Sequence, residues 1–393
     1  MRILVIHNHY QHPGGEDRAF AAEVDLLLIR GNEVLKYEED NHLATSISRL
    51  GIVTRTIWSR ESYRKILRLI RQFRPEIVHI HNTFFAISPS VYYACQAEGV
   101  PVVQTLHNYR LLCPVATFYR DRMVCEECLG KFIPWPSVYH GCYHHSRIQT
   151  ASVAGMLSLH RIAKTWQIQV DQYIALTEFA RLKFIQSGLP AEKIVVKPNF
   201  FHPDPGPKSH SGDFVIFIGR LSPEKGINTL IEAWKTMKTD IQLKVVGSGP
   251  LQEQVASLAQ ADSRVEFLGA IFGTNLLTLM KSARILVFPS ESYEGFPMVI
   301  AEAFACGLPV IAPNLGSSRE IVTDNNTGLL FQPGNSVDLA TKVKWAWEHP
   351  FEMAKMGKNA RREYEEKYTA EKNYDMLMDI YRQAIEAYRS KIG

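Results

Sequence analysis

Residues 214–226 of this 393-residue chain read Phe-Val-Ile-Phe-Ile-Gly-Arg-Leu-Ser-Pro-Glu-Lys-Gly. The five residues before the first glycine predict a buried strand, and the glycine-framed turn behind it carries two cations, Arg220 and Lys225. A strand that enters a helix through a short loop is the repeating unit of a parallel sheet. The segment therefore predicts an α/β fold.

The same alternation continues on both sides of this segment. Apolar runs predict strands at residues 3–7, 77–80, 100–106, 173–176 and 194–196 upstream, and at 242–246, 265–268, 285–288, 309–312 and 329–331 downstream. Amphipathic stretches at 18–30, 63–73 and 179–186 predict helices, as does the chain from 338 to its end. Residues 198–213 hold four prolines and two glycines and are the best linker candidate.

These patterns predict two doubly wound, Rossmann-like α/β domains that face each other across a cleft. We expect the first domain over residues 1–200, with an insert at about 110–148, and the second over 201–370. Residues 371–393 are expected to form a helix that packs back on the first domain. Ligands of such sheets bind outside the carboxyl ends of the strands, so we expect the functional site between the domains.

Composition narrows the class of protein. Apolar residues make up 46% and charged residues 21%, which excludes a disordered or collagen-like chain. No segment approaches the ~18 uncharged apolar residues of a membrane span. Residues 1–7 become polar too soon for a signal peptide, so we expect a cytoplasmic protein. The net charge of +4 is small, and no nucleic-acid partner is expected.

The basic excess is concentrated in one predicted helix, at residues 55–74. Seven Arg and Lys residues there accompany a single acid, Glu61. Such a helix either lies against anionic lipid at the membrane surface or presents a solvated basic face.

Three loops after predicted strands suit a phosphate-bearing ligand. In the first, Gly14 and Gly15 precede a helix, where backbone N–H groups and the helix dipole favour an anion; a plain turn is the alternative. In the second, the fork of Arg220 and the point charge of Lys225 suit a diphosphate; a solvated basic turn is the alternative.

The third loop lies at 290–302 and reads Ser-Glu-Ser-Tyr-Glu-Gly-Phe-Pro-Met-Val-Ile-Ala-Glu. Pro297 suits the first position of a helix. Glu294 is then expected in the loop, with Glu302 about 7–8 Å along the helix axis from Pro297. In these positions one carboxylate addresses a sugar at the helix mouth and the other addresses ribose hydroxyls nearby.

Residues 219–226 and the pattern Glu294-x7-Glu302, continued by Ala-Phe-Ala-Cys-Gly-Leu-Pro-Val at 303–310, resemble the retaining glycosyltransferases of family 4, which have the GT-B fold. The likeness covers nearly the whole chain and is most specific in the second half. It implies an enzyme that moves a sugar from a nucleotide diphosphate to the hydroxyl of a glycan or lipid-linked acceptor. Retention at the anomeric carbon, chemistry that requires no metal, and a role in cell-surface polysaccharide or glycolipid synthesis are also implied.

The resemblance implies residue roles as well. Arg220 and Lys225 would neutralise the diphosphate, Glu294 would bind the transferred sugar, and Glu302 the ribose. Other donor-binding positions would be Gly14, Gly15, Gly219, Gly247, Gly295, Phe296, Met298 and Val299, and His107 matches a family histidine near the donor sugar. The chain departs from the family's Gly-Gly-x-Pro-Glu with Leu-Gly-Ser-Ser-Arg-Glu at 315–320, where Glu320 matches the acid by position alone.

Two other functions remain open at this stage. A sugar-nucleotide epimerase on the same fold would release an altered donor without an acceptor. A non-catalytic sugar-nucleotide-binding protein would bind the donor without turnover, although the retained Arg220, Lys225, Glu294 and Glu302 argue against it.

Four cysteines fall within the predicted insert. The insert is rich in Pro, Gly and aromatic residues, a composition that predicts an irregular lobe. Cys113, Cys125, Cys128 and Cys142 are spaced C-x11-C-x2-C-x13-C. In a reducing compartment such thiols are expected to hold a structural zinc rather than disulfides, with His140, His144 or His145 as a substitute ligand. Four unrelated thiols are the main alternative, and an iron–sulfur cluster is a further one. The run Val78-His79-Ile80-His81 is expected to be packed interior.

Overall fold

The computed structural model describes residues 1–11, 14–41, 49–209 and 212–392. The chain forms two compact units. The first comprises Met1–Phe118, Glu126–Asn199 and Asn373–Gly393, and the second comprises Tyr119–Cys125 and Phe200–Lys372. The chain thus leaves the first unit within the proline-rich segment, of which residues 210 and 211 lie outside the described ranges, and returns at Asn373.

The first half of the chain contains eight strands and eight α-helices in its described ranges. In chain order they are β1 (Arg2–His9), α1 (Gly15–Ile29), β2 (Glu33–Asp40), α2 (Arg49–Ile57), α3 (Arg60–Phe73), β3 (Ile77–Ile80), α4 (Ser90–Ala97), β4 (Val102–Leu106), β5 (Tyr119–Arg120), β6 (Met123–Val124), α5 (Trp135–His140), α6 (Arg147–Ile162), α7 (Thr165–Ile168), β7 (Gln172–Ala175), α8 (Glu178–Gln186) and β8 (Ile194–Val196).

The second half repeats the alternation of strand and helix. It contains β9 (Phe214–Ile218), α9 (Ile227–Thr236), β10 (Gln242–Val246), α10 (Gln252–Ala261), β11 (Val265–Gly269), α11 (Gly273–Lys281), β12 (Ile285–Val287), α12 (Met298–Ala305), β13 (Val310–Pro313), α13 (Gly316–Ile321), β14 (Gly328–Phe331), α14 (Ser336–Glu348), α15 (Pro350–Lys367) and α16 (Ala370–Ile392).

Each unit is built on a six-stranded parallel sheet. The strand order is β2-β1-β3-β4-β7-β8 in the first unit and β11-β10-β9-β12-β13-β14 in the second. All described pairings within both sheets are parallel. The predicted fold class of two parallel-sheet α/β domains is therefore confirmed.

Helices cover the sheets because the strands are apolar on both faces. Every residue of β3 and β4 is buried. One core cluster of the first unit joins β1 and α1 to Leu377, Ile380, Tyr381 and Ala384 of α16. The last helix of the chain therefore completes the core of the first unit.

The strand orders locate the ligand edges of the two sheets. In a doubly wound sheet a crevice forms where the strand order reverses, outside the carboxyl ends of the strands. That point lies between β1 and β3 in the first unit and between β9 and β12 in the second. The loops after these four strands are therefore the candidate ligand-binding loops.

Three local features differ from the sequence expectations. Strand β2 was not predicted because its sequence, Glu-Val-Leu-Lys-Tyr-Glu-Glu-Asp, has the charged character of an edge strand. The short hairpin of β5 and β6 was also missed. Pro297 caps α12, which begins at Met298, so the proline precedes the first helical position. Within the described ranges, no helix has the length and apolar character needed to cross a membrane.

Candidate functional site

The loops after β9, β10 and β11 are joined backbone to backbone. Gly219 N–H donates to the Val246 carbonyl at 3.0 Å, and Gly247 N–H donates to the Gly269 carbonyl at 2.8 Å. Gly247 has a φ of 145°, and a Cβ there would stand 1.8 Å from the Gly219 carbonyl oxygen. Only glycine allows this approach. The structure thus brings the predicted residues Gly219 and Gly247 together at the edge of the second sheet.

Lys225 and Glu294 form an ion pair beside the point where the second sheet reverses its order. Gly226 has a φ of 73°, and a Cβ there would lie 1.9 Å from the Pro289 carbonyl oxygen, so this glycine lets the loop after β9 touch the loop after β12. Lys225 Nζ lies 2.7 Å from Glu294 Oε1, which also accepts a hydrogen bond from Ser290 Oγ at 2.7 Å. Both charged side chains keep partial contact with solvent.

Arg220 lies in the same loop as Lys225 but is exposed. Within the described part of the chain it forms no ion pair. Its charge is therefore uncompensated at the carboxyl edge of the second sheet, where it is available to an anionic ligand.

Helix α12 begins beside this ion pair. Pro297 occupies the N-cap, where no described side chain caps the first turn, so the positive end of the helix dipole points toward the loop. Phe296 and Met298 are buried around this end, and Gly295 and Val299 are half-buried. Glu302 is buried on the same helix. Ser317 Oγ, at the start of α13, donates to the Glu294 carbonyl at 2.7 Å and holds this loop in place.

In the first unit, Gly14 caps α1 and donates its N–H to Asp17 Oδ2 at 2.8 Å. That donor is therefore occupied by the protein, which differs from the anion-binding role expected for it. Gly15 is the first residue of the helix and is exposed. Asp17 Oδ1 also lies 3.0 Å from His7 Nε2 and 3.1 Å from His9 Nδ1, and these contacts help to lower the pKa of the Asp17 carboxyl although burial opposes them.

Glu16 follows the two glycines and its carboxyl points inward. Asn108 Nδ2 donates to Glu16 Oε2 at 2.9 Å and Tyr10 OH donates at 3.2 Å, while Oε1 is buried without a hydrogen-bond partner in the described structure. Burial raises the pKa of Glu16 to about 8. A carboxyl with this pKa binds a proton near neutral pH.

His107 follows β4, and its ring is held by a second histidine. His107 Nε2 lies 2.9 Å from His81 Nδ1, and the two rings stack with centroids 5.1 Å apart. Burial, with the neighbouring His81 and His7, holds the pKa of His107 well below its usual range, so the ring is neutral. A cavity of about 40 Å³, room for a water molecule, is lined by residues that include His81, His107 and Asn108.

Behind His81 lies a buried ion pair. Lys197 Nζ lies 2.9 Å from Glu23 Oε2 and donates to Asn373 Oδ1 at 3.0 Å. Glu23 Oε1 lies 3.1 Å from His79 Nδ1 and 3.3 Å from His81 Nε2. The expectation that His79 and His81 are packed interior is confirmed by their burial.

Two groups of side chains among the described residues are close enough to share a metal ion. They are His7 with His9 and Asp17, and Glu23 with His79 and His81. In the second group the Lys197 ammonium already neutralises the carboxylate, which disfavours a further cation. The first group keeps a carboxylate and two imidazoles within reach of solvent through His9.

The four cysteines expected to bind zinc lie farther apart than the side chains of these two groups, whose ligand atoms are all within 4.8 Å of one another. Burial raises the pKa of the Cys128 thiol to about 11, and Cys113, Cys128 and Cys142 all belong to the first unit. Cys125 belongs to the short segment grouped with the second unit. Among the described residues, no three of the four sulfurs lie within 4.8 Å of one another.

Sequence reasoning missed the residues behind His107. Glu23 and Lys197 are 174 positions apart, so no local pattern joins them. The alternation of His79 and His81 does place both on one face of a strand, and two histidines within an apolar run are a signal of an internal polar cluster. A buried polar group needs partners, but the sequence does not identify them.

Two family models match the chain in succession. The model for glycosyltransferase family 4 matches residues 18–204, and the model for glycosyl transferases group 1 matches residues 200–363. An uncharacterized glycosyltransferase of Methanocaldococcus jannaschii is 33% identical over 43% of this chain, and the match spans only 48% of that relative. A second match, 30% identical, spans 42% of its relative.

Other matches span more of both chains. A phosphatidyl-myo-inositol mannosyltransferase of Mycobacterium leprae is 24% identical over 86% of each chain. The Anabaena protein HepE, solved in complex with UDP-glucose, has a TM-score of 0.67 and 21% identity, covering 99% of this chain and 100% of that one. At this identity the likeness shows a shared fold.

Proposed function

The chain belongs to the glycosyltransferases of group 1 and family 4, and on that premise we propose that it transfers a sugar from a nucleotide diphosphate to an acceptor hydroxyl in cell-surface glycan or glycolipid synthesis. One observation carries the proposal. The Lys225–Glu294 ion pair and the exposed Arg220 lie at the ligand edge of the second sheet, with both cations in the loop after β9. Two cations and a helix N-terminus at such an edge suit a diphosphate.

The proposed reaction breaks the bond between the anomeric carbon and the diphosphate. Negative charge then grows on the leaving group, and positive charge grows on the sugar ring. Arg220, Lys225 and the N-terminus of α12 stabilise the leaving group, the task that a divalent ion performs in other enzymes. We infer chemistry that requires no metal from this concentration of fixed positive charge.

Sugar and nucleoside contacts follow from the positions of the two acids. Glu294, in the loop before α12, accepts from a hydroxyl of the transferred sugar, and Glu302, within the helix, accepts from the ribose. Backbone N–H groups at Gly295, Phe296, Met298 and Val299 line the sugar and phosphate. Gly219 and Gly247 contact the donor, and Gly247 borders its nucleoside; the close approach of Gly247 to the Gly219 carbonyl leaves no room for a side chain at Gly247.

We propose retention of the anomeric configuration, because members of the family resembled here are retaining enzymes. The acceptor hydroxyl then arrives on the face from which the diphosphate departs. The departing phosphate oxygen takes the proton of that hydroxyl. In the first unit, His107 addresses the donor sugar, and Gly14 and Gly15 shape the loop beside it.

Donor binding gives the first test. Thermal unfolding with UDP-, GDP-, ADP- and dTDP-sugars should show one base that stabilises the protein, by about 2.7 kcal/mol at a hundredfold excess over Kd. UDP-sugars are tested first, because HepE was solved with UDP-glucose. A nucleotide-release assay with candidate acceptors follows. Release only with acceptor supports a transferase; altered donor without acceptor identifies an epimerase, and binding without turnover identifies a binding protein.

We also propose that the protein contacts the cytoplasmic face of an anionic membrane through α3. Arg60, Arg64 and Arg68 are exposed at a spacing of four residues, whereas Arg71 pairs with Glu98. Each basic residue near such a surface contributes about 1 kcal/mol. Replacing Arg64, Arg68 and Arg71 together with Glu should abolish sedimentation with phosphatidylserine vesicles; unchanged sedimentation would remove the proposal. Neutral vesicles are the control.

A structural zinc held by Cys113, Cys125, Cys128 and Cys142 is a separate proposal. It is supported by the cysteine spacing C-x11-C-x2-C-x13-C. Metal analysis of the purified protein should find about one zinc per chain, and replacing Cys128 with Ser should remove it. A zinc-free protein of unchanged stability would refute the proposal.

A further inference from the structure

A buried row of polar side chains ends at His107. It runs from Lys197 through Glu23 and His81, with successive contacts of 2.9, 3.3 and 2.9 Å. The side chains of Lys197, Glu23 and His81 are exposed by 7% or less. All four residues belong to the first unit.

The charges of Lys197 and Glu23 determine which groups donate and which accept hydrogen bonds at the start of this row. Lys197 donates to Glu23 Oε2 and to Asn373 Oδ1. Burial raises the pKa of Glu23, but the nearby Lys197 and His79 outweigh it and hold the pKa well below its usual range. Glu23 is therefore a carboxylate, which can only accept hydrogen bonds.

Because the rings of His81 and His107 are both neutral, each carries one proton, and their neighbours determine which nitrogen holds it. Burial, with His79 beside it, lowers the pKa of His81 to about 3, so the ring carries a single proton. His81 Nε2 lies 3.3 Å from Glu23 Oε1, and neither atom has a hydrogen-bond partner in the described structure. A lone pair on His81 Nε2 would be repelled by the carboxylate charge, so the proton lies on Nε2 and a lone pair is left on His81 Nδ1. The 2.9 Å contact with His107 then requires the proton of His107 to lie on Nε2.

We propose that Glu23 and His81 are positioning residues, which hold His107 in the tautomer with its proton on Nε2 and thereby present His107 Nδ1 as an acceptor to a ligand hydroxyl. Within the described chain, His107 Nδ1 has no hydrogen-bond partner, and it is not among the buried unsatisfied atoms. An acceptor there selects a hydroxyl and rejects a carbonyl or phosphate oxygen. The role of this acceptor in catalysis rests on the proposed transferase function, but the tautomer does not.

Replacing Glu23 with Gln should reverse the direction of the hydrogen bonds along the row, because glutamine has the same shape as glutamate but carries an NH2 donor. The Lys197 ammonium only donates, so the glutamine carbonyl oxygen must face it and the NH2 group must face His79 and His81. His81 Nε2 then has to accept, and its proton moves to Nδ1. His81 in turn donates to His107 Nε2, so the proton of His107 moves to Nδ1.

The test reads tautomers directly in the full-length protein labelled with 15N-histidine. Two-bond nitrogen–proton correlations distinguish the two neutral forms, and a His107→Asn variant assigns the signal. We expect the Nε2–H form in the wild type, without titration between about pH 5 and pH 8, and the Nδ1–H form in Glu23→Gln. An Nδ1–H form in the wild type, or an unchanged signal in Glu23→Gln, overturns the proposal.

A second set of variants covers the case in which Glu23→Gln does not fold. His81→Leu removes the acceptor for His107 and should give both tautomers. His81→Asn offers an amide oxygen near the position of Nδ1 and should restore the single form. Tyr381→Phe removes a hydroxyl that lies 2.8 Å from His79 Nδ1 in the same cluster, off the row, and should leave the His107 signal unchanged. A single Nε2–H form in His81→Leu overturns the proposal.

Kinetics then separate positioning from packing. At equal folded fraction, kcat/KM should fall about 10- to 100-fold in Glu23→Gln and His81→Leu and stay near wild type in His81→Asn and Tyr381→Phe. Equal losses in all four variants would reduce the row to a structural role and overturn the proposal. A wild type without turnover would refute the transferase, while the spectra would still decide the tautomer.

Discussion

Two lysine–glutamate ion pairs, Lys197–Glu23 in the first unit and Lys225–Glu294 in the second, differ in burial far more than in length. Lys197 and Glu23 are 2.9 Å apart with exposures of 1% and 7%. Lys225 and Glu294 are 2.7 Å apart with exposures of 28% and 15%. A buried pair has lost its water, so removing one partner leaves a costly charge, whereas a partly hydrated pair can exchange its partner for a ligand. The first pair is suited to fixing structure and the second to binding.

The largest effect should follow from breaking the buried pair. Lys197→Met leaves the Glu23 carboxylate without its cation and should lower the free energy of unfolding by about 3–5 kcal/mol. Lys225→Met should change it by less than about 1 kcal/mol. Urea denaturation measures both. Equal losses would mean that burial does not distinguish the pairs.

Catalysis should respond in the opposite order. Lys225→Ala removes a cation from the proposed diphosphate site and should lower kcat/KM at least about 100-fold, or about 2.7 kcal/mol, with nearly unchanged melting temperature. Lys235→Ala is the control, because Lys235 is also paired, with Glu232 on the exposed side of α9, away from the loop. Wild-type turnover in Lys225→Ala would contradict the proposed site. So would strict dependence of the wild type on added magnesium.

Acid should destabilise the first unit through His81. Its folded pKa of about 3 lies below the unfolded value of 6.5, so the unfolded chain binds more protons between these values. The stabilisation contributed by neutral His81 is therefore fully present above pH 6.5 and is lost as the pH falls toward 3. Well below pH 6.5, the free energy of unfolding should decrease by about 1.4 kcal/mol for each pH unit. Urea titrations at pH 7 and 5 should show a smaller loss in His81→Asn. In Lys225→Ala the loss should match that of the wild type.

The smallest effect is expected at Gly247, which lies against the Gly219 backbone in the second unit. Gly247→Ala would place a Cβ 1.8 Å from the Gly219 carbonyl oxygen. The substitution should lower the free energy of unfolding by about 1–3 kcal/mol and should also weaken donor binding. Gly31→Ala is the control, since its φ is 79° but open space surrounds it. That variant should cost about 1 kcal/mol and leave binding intact. Equal donor binding by Gly247→Ala and Gly31→Ala would show that donor binding does not depend on the close approach of Gly247 to Gly219.

The sequence predicted the sheets, and the loops proposed to bind the donor, because both leave local patterns. Continuous apolar runs predicted Ile77–Ile80 and Phe214–Ile218 with the observed bounds. Lys225 and Glu294 were identified because each lies in a loop directly after a strand, where a motif is contiguous. Strand β2 was missed because an edge strand tolerates charges that break the apolar pattern.

The partners of the buried charges could not be predicted. Glu23 belongs to an amphipathic helix whose inward position would normally be apolar, and Lys197 follows a short strand. Their contact depends on how α1 packs on the sheet, which is a tertiary property. Asn373 lies a further 176 positions from Lys197 along the chain and reaches it only through α16.

Helix α16 also sets an order of events during synthesis. It supplies Asn373 to the Lys197 ammonium and Tyr381 to His79, and its apolar face closes the core against β1 and α1. A ribosome therefore makes the first unit's sheet long before it makes the side chains that cap its internal charges. Until about 370 residues have emerged, that sheet exposes an unfinished face, and the second unit can fold first.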